Sequence, residues 1–249
     1  MIQFLRKNQT IRSLYYVSRF YKKLFWRNLL NIERARVFLK VHPYTMGSYE
    51  RLENAFELAR NIERERKEGA FVECGVWKGG CIGAMASVAH QADSHRHIWL
   101  FDSFEGLPEP SSQDGSVAER YSKGKALGAL RSIQKCVGPL QDVNKLFFSI
   151  LGLKKEYIHI EKGWLQHTLP LAKKNIGSIA ILRIDVDWYE STKCVLDLLY
   201  DQVVPGGYVI IDDYGHWEGC KKAVDEFMQK RSIRVPLQWI DYTGVYFVK

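Results

Sequence analysis

The chain has 249 residues, 46% hydrophobic and 13% aromatic, which is enough for one substantial core with an appendage. No apolar run approaches the roughly 18 residues of a membrane-spanning helix, so none is expected. Of the net charge of +8, residues 1–45 hold +9 (ten Lys or Arg against Glu33), so the rest of the chain is close to neutral and a basic body for nucleic acid is excluded.

That first segment is patterned. On a helical wheel Ile11, Leu14, Val17, Phe20, Tyr21, Leu24, Phe25 and Leu29 fall broadly on one side. Arg12, Arg19, Lys22, Lys23 and Arg27 fall mostly on the other. An amphipathic basic helix of this kind suits an anionic membrane surface, or packing on its own domain or a second subunit. Charges interrupt the apolar positions, so it does not read as a secretory signal. Residues 1–44 are taken as an accessory extension and 45–249 as one domain, with peripheral membrane contact through residues 1–40 and a homo-oligomer as the expected associations.

From residue 46 the chain alternates. "YERLENAFELARNIERERKEGA" is a charged helix ending at Gly69, and "AFVECGVWKGG" a strand, Ala70 to Cys74, running into a glycine turn. "CIGAMASVAHQA" reads as a helix and "HIWLFDS" as a second strand ending in Asp102. The stretch from Phe104 to Leu130 is expected to cover the acceptor, with helical material near 124–153. "EYIHIEKGW", "IAILRIDVD" and "YVIIDDYG" are further strands, with helices in "ESTKCVLDLLYDQ" and "GCKKAVDEFMQKR". "PLQWID" and "GVYFVK" close the chain around a "DYTG" turn. Nearly continuous apolar strands alternating with helices predict an α/β fold, a mostly parallel sheet covered on both faces, with an antiparallel hairpin at its end. Five scattered cysteines without C-x-x-C suggest buried, reduced thiols in a cytoplasmic setting.

Acids mark the strand ends: Glu73, Asp102, Asp185, Asp187, Asp212 and Asp213. In an open parallel sheet these share the rim where ligands bind. Gly75, Gly79 and Gly80 allow a tight turn, but this is neither G-x-G-x-x-G nor a phosphate loop. An acid before the first glycine suits a cationic ligand, and Asp102 is placed for a ribose. Together they suit S-adenosylmethionine, although a glycine turn alone is equally a structural feature. The "DVD" of Asp185–Asp187 also suits a metal-dependent glycosyltransferase, and the N-terminal segment a non-enzymatic membrane-tethering module.

"VECGVWKGG", "LFDSFEGLPEP", "LRIDVDWYEST", "LYDQVVPGGYVIIDDYG" and "GCKKAVDEF", in this order, resemble the macrocin O-methyltransferase family over roughly Thr45 to Phe227. The resemblance implies a Rossmann-like class I methyltransferase with a seven-stranded sheet, using S-adenosylmethionine and a divalent metal to methylate a hydroxyl of a sugar in a glycan or glycosylated metabolite. It implies metal ligands at Asp185, Asp212 and Asp213, and a general base at Asp187, whose competing reading is a helix cap. It implies cofactor contacts from Thr45, Met46, Glu73, Gly75, Asp102, Ser103 and Trp164. An all-oxygen donor set favours Mg²⁺ over zinc. His216 is the reserve base. Leu165 and His167 depart from the family pattern, which expects an aromatic and an acid there.

Overall fold

In the computed structural model the backbone is described from Gln9 and side chains from Val17 to the C-terminus. Arg6 and Lys7, with the side chains of Ile11, Arg12 and Leu14, lie outside the described residues.

The strands are β1 (Ala70–Cys74), β2 (Ile98–Asp102), β3 (Ile158–Lys162), β4 (Ile179–Ile184), β5 (Val203–Ile211), β6 (Gln238–Trp239) and β7 (Val245–Val248). They form one seven-stranded sheet in the order β3-β2-β1-β4-β5-β7-β6. β1 to β5 are parallel, and β7 is antiparallel to both β5 and β6. Every residue of β1 and of β4 is buried, which is why these strands read as unbroken apolar runs. The order reverses between β1 and β4, the topological switch point where such sheets bind ligands.

The helices are α1 (Gln9–Arg27), α2 (Ile32–Val41), α3 (Tyr49–Arg64), α4 (Gly80–Gln91), α5 (Gly115–Tyr121), α6 (Leu140–Asn144), α7 (Leu165–Ile176), α8 (Tyr189–Leu199) and α9 (Glu218–Lys230). Strand alternation divides the core in two. Phe71, Ile98, Leu100, Ile181 and Ile210 face a cluster built from α1 to α4. Val72, Cys74, Phe101, Leu182, Ile184 and Ile211 face α7, α8 and α9.

One segment differs from the sequence reading. Residues 124–139 are irregular rather than helical, with Gly124, Gly128, Gln134 and Cys136 at positive φ, and a helix begins only at Leu140. The Ala, Leu and Lys of this stretch favour helix, but its glycines and its packing against the site override that preference. Ile133 and Leu107 are buried here, and Ile133 N donates to Leu107 O at 2.9 Å.

The N-terminal helices are joined to the body. Phe20, Leu24, Val37, Phe38 and Val41 are buried in one cluster with Leu52 and Phe56 of α3. Asn31 caps α2 by accepting from Arg34 N at 3.0 Å. Lys23 pairs with Glu50, Arg27 with Glu53 at 2.5 Å, and Arg34 with Glu57 at 2.6 Å. The side of α1 that is apolar on the wheel thus supplies residues to the protein's own core, and the packed layer starts well before Thr45.

Candidate active site

The rim is fixed by extending the sheet ladder one residue past the strands. Gly75 N donates to Phe101 O at 2.8 Å, Asp185 N to Cys74 O at 2.9 Å and Asp212 N to Ile184 O at 2.9 Å. The acids after β1, β2, β4 and β5 are thereby held side by side around a cavity of about 490 Å³. All of the sequence-predicted residues line it: Thr45, Met46, Glu73, Gly75, Asp102, Ser103 and Trp164, and the four aspartates. His216 and Leu165 also line it, while His167 is exposed on α7.

On one side lie the turns after β1 and β2. Gly75 has φ +83, and a Cβ there would sit 1.7 Å from Asp185 O, so the chain crosses at this point only without a side chain. Asp102 accepts from Trp77 N at 2.9 Å and from Phe104 N at 2.7 Å, one on each oxygen. Each oxygen keeps a further lone pair for a ligand. Burial pushes Asp102 up to about 6 against the lowering effect of these bonds. Ser103 Oγ is used within its own turn, donating to Gly106 O at 2.9 Å and accepting from Glu105 N at 3.1 Å. Thr45 Oγ1 accepts from Gly47 N at 3.0 Å, and Met46 is exposed at the mouth.

Glu73 and Arg183 are register partners on neighbouring parallel strands, so their side chains meet on one face. Arg183 is 2% exposed and bonds Glu73, Asp185 at 2.8 Å and Asp212. Burial pushes Glu73 up to about 8 although Arg183 opposes it. Its Oε2 is buried with no partner. An orphaned carboxylate oxygen on the cavity wall fits the ammonium group of an amino-acid-bearing ligand.

The aspartates divide into two kinds. Both oxygens of Asp212 are held by guanidinium groups, Oδ1 by Arg183 and Oδ2 by Arg51. Arg51 reaches from α3 and also bonds Asp241 at 2.9 Å and Thr243. Asp185, Asp187 and Asp213 instead bring ligand oxygens within 4.8 Å of one another, a spacing one cation can span. Burial, then the Asp185 charge, pushes Asp187 up to about 7, although a bond from Trp217 opposes it. Burial and the charges of Asp187, Asp212 and Asp185 raise Asp213 well above the ordinary range. Burial likewise takes Asp212 to about 6, its arginines opposing. Three half-buried or buried carboxylates this close, with arginine charge directed mainly to their neighbours, fit a hard divalent cation.

Asp187 does not cap α8. It sits at φ +60, and its Oδ1 accepts from Trp217 Nε1 at 2.6 Å. The cap comes from Asp114, which accepts from Tyr189 N at 2.6 Å with Oδ1 and from Ser111 N at 2.7 Å with Oδ2. Trp188 Nε1 donates to Pro108 O at 3.0 Å, so the 103–139 segment is tied twice to the loop after β4. Trp217 packs on Trp188 and Tyr121 with ring centres 4.8 and 5.4 Å apart, and with Tyr121 and Cys136 it forms part of the cavity wall. His216 sits edge-on to Trp217, and burial, then the Arg51 charge, lowers its pKa.

Arg51, Asp114, Arg183 and Trp217 are the residues that sequence reasoning missed. Arg183 had a signal, because an arginine inside the apolar run "IAILRI" must be paired if it is buried. Asp114 had a weaker one in "SSQD", the S-x-x-D spacing of the capping box it forms with Ser111.

Known proteins match this sequence and fold. Residues 38–249 match the family model described as Macrocin-O-methyltransferase (TylF). The chain is 36% identical over 207 residues to demethyldecarbamoylnovobiocin O-methyltransferase of Streptomyces niveus, covering 83% of this chain and 76% of that one. It is 30% identical over 226 residues to mycinamicin III 3''-O-methyltransferase of Micromonospora griseorubida, covering 87% and 84%. The solved structure of the O-methyltransferase NovP superposes with a TM-score of 0.71 at 35% identity, covering 83% of this chain and 82% of that one. These relatives replace the glycosyltransferase and tethering readings, and the structure has the class I methyltransferase fold. The chain belongs to the macrocin O-methyltransferase family.

Proposed function

We propose that this enzyme transfers a methyl group from S-adenosylmethionine to a sugar hydroxyl of a glycan or glycosylated metabolite, with the help of Mg²⁺. The observation that carries the reading is the meeting of Asp185, Asp187 and Asp213 within 4.8 Å, in the cavity that Glu73 and Asp102 also line. The relatives whose names specify novobiocin and mycinamicin substrates support a sugar-bearing acceptor.

In this reading Glu73 receives the donor's ammonium and Asp102 its ribose. Gly75 gives the backbone close approach, and Thr45, Met46, Ser103 and Trp164 enclose the remainder. Asp185 and Asp213 would hold the cation with Asp187 beside it, and Asp212 would join them through lone pairs its arginines leave free. When bound, the donor would supply an electrophilic methyl and the cation a Lewis acid that makes a sugar hydroxyl easier to deprotonate. Asp187 takes up the hydroxyl proton on Oδ2, its Oδ1 being held by Trp217. Trp217 and Tyr121, backed by the buried Trp188, orient the sugar and keep water from the reacting oxygen. The enzyme works in the cytoplasm, against the anionic inner face of a membrane.

The test is a panel of nucleotide sugars, glycan extracts and glycosylated metabolites with labelled donor. Transfer with Mg²⁺ that is abolished by EDTA is expected. Full transfer in the chelator overturns the cation, and no transfer to any sugar overturns the acceptor class.

A further inference from the structure

The α1–α2 elbow carries an apolar and cationic surface that the fold does not use. Phe20 and Leu24 of α1, and Asn28 just past its end, point inward and are 5%, 6% and 5% exposed. Asn28 is fully engaged there, donating to Leu24 O and Tyr49 Oη and accepting from Arg34. The opposite side presents Phe25 at 61% and Trp26 at 63%, followed by Leu29 at 54%, Leu30 at 102% and Ile32 at 64%. Arg19 and Lys22 lie on the same outward side of the α1 wheel, two turns and one turn before Trp26, and are exposed. Among the described residues neither has an acid within ion-pair distance, whereas the inward-leaning Lys23, Arg27 and Arg34 are all paired with acids of α3.

We infer that this elbow docks on an anionic lipid surface, with Phe25, Trp26, Leu29 and Leu30 entering the headgroup layer and Arg19 and Lys22 meeting lipid phosphates. Adjacent aromatics, protruding leucines and unpaired cations on one outward edge match an interfacial anchor. A second copy of the chain fits less well, because the face would meet itself across a two-fold axis and set like charges together. This face shares Phe25 and Leu29 with the apolar side of the wheel, whose Phe20 and Leu24 are spent on the core. α2 runs from the elbow at Ile32 for ten residues, about 15 Å of helix, and the chain then reaches Thr45 and Met46 at the cavity. The inference deepens the membrane location proposed above but depends on no catalytic residue, so its test stands apart from the methyl-transfer assay.

The experiment is sedimentation of the full-length protein with phosphatidylcholine vesicles, with and without phosphatidylglycerol, at low and high salt. Binding is expected only with phosphatidylglycerol, and release at high salt. Arg19→Gln and Lys22→Gln should each weaken binding roughly fivefold, the equivalent of about 1 kcal/mol per cation at an anionic surface. The pair Phe25→Ser and Trp26→Ser should abolish binding with an unchanged melting temperature and S-adenosylmethionine affinity, because both side chains are exposed. Equal binding to neutral vesicles, no binding to either, or full binding by the serine pair overturns the inference. A full-length dimer that the serine pair converts to monomer assigns the face to a second copy and overturns it as well.

Discussion

The indole N–H of Trp217 donates to Asp187 Oδ1 at 2.6 Å. The two residues come from the loops after different strands, β4 and β5, so the bond ties the aromatic wall of the cavity to its carboxylate cluster. It leaves Asp187 one oxygen free at a backbone conformation, φ +60, that aspartate tolerates better than most residues. Trp217→Phe keeps the buried ring and removes only the donor. A hydrogen bond to a charged group contributes about 1.5–3 kcal/mol, so kcat is expected to fall roughly ten- to a hundredfold. The KM for S-adenosylmethionine should hold, since the Trp217 indole bonds Asp187 and neither Glu73 nor Asp102. A variant with wild-type kcat, or one whose loss is wholly in melting temperature, would show that the bond has no catalytic consequence.

Asp187 and Asp212 make opposite predictions. Asp187→Asn is expected to lower kcat by about 10²–10⁴-fold, the usual contribution of a general base, while Mn²⁺ or Mg²⁺ still binds by calorimetry. Asp212→Asn should weaken cation binding and leave Arg51 and Arg183 with an unmatched charge, destabilising the fold. Should Asp187→Asn abolish cation binding while Asp212→Asn retains it, Asp187 is a ligand and the base lies elsewhere, with the neutral His216 next in place.

Much of this arrangement was legible because each rim acid directly ends an apolar run, and parallel strands bring their ends together whatever their separation in the chain. The acceptor wall was not legible in the same way. Trp217 and Tyr121 read as ordinary aromatics until residues 103–139 fold across the site, and the composition of 124–139 pointed to helix. The charges that balance the rim were hidden by distance: Arg51 lies 161 positions from Asp212, on a helix whose other arginines face solvent or surface acids. The N-terminal wheel showed an amphipathic helix correctly but could not say which side would be buried, because that depends on Glu50 and Glu53 of α3 receiving Lys23 and Arg27.

Metal-free protein should lose stability as pH rises. Glu73, Asp187 and Asp212 are shifted up to about 8, about 7 and about 6, each chiefly by burial. An unfolded chain titrates these groups near about 4, so between there and about 8 the folded state binds more protons than the unfolded one. Stability then falls with increasing pH across that window. A cation binding the deprotonated cluster reverses the trend, so Mg²⁺ should raise the melting temperature more at the alkaline end than at the acid end. Melts in EDTA and in Mg²⁺ across the window check this. A pH-independent melt in EDTA, or a Mg²⁺ effect greater in acid, would contradict the assignment of these groups.

Residues 1–40 are expected to be needed for folding, even though the family-like motifs begin after them. A chain beginning at Val41 lacks Phe20, Leu24, Val37 and Phe38, all of them at most 6% exposed in the cluster with Leu52 and Phe56. Burying each contributes about 1.5–3 kcal/mol, so the four together approach the roughly 5–15 kcal/mol of a whole domain. The truncation also leaves Glu50 and Glu53 without their cations, removes Arg34 from Glu57 and uncovers an apolar face of α3. Such a chain should be insoluble or melt far below the full-length protein. One beginning at Val17 keeps all four core residues and the three ion pairs, and should melt within a few degrees of it. Phe20→Ala in the full chain supplies the graded control, with an expected loss of about 3–5 kcal/mol in denaturant titration. A chain from Val41 that stays folded, with the full-length melting temperature and cofactor affinity, would show instead that these helices are an accessory whose buried residues stabilise only themselves.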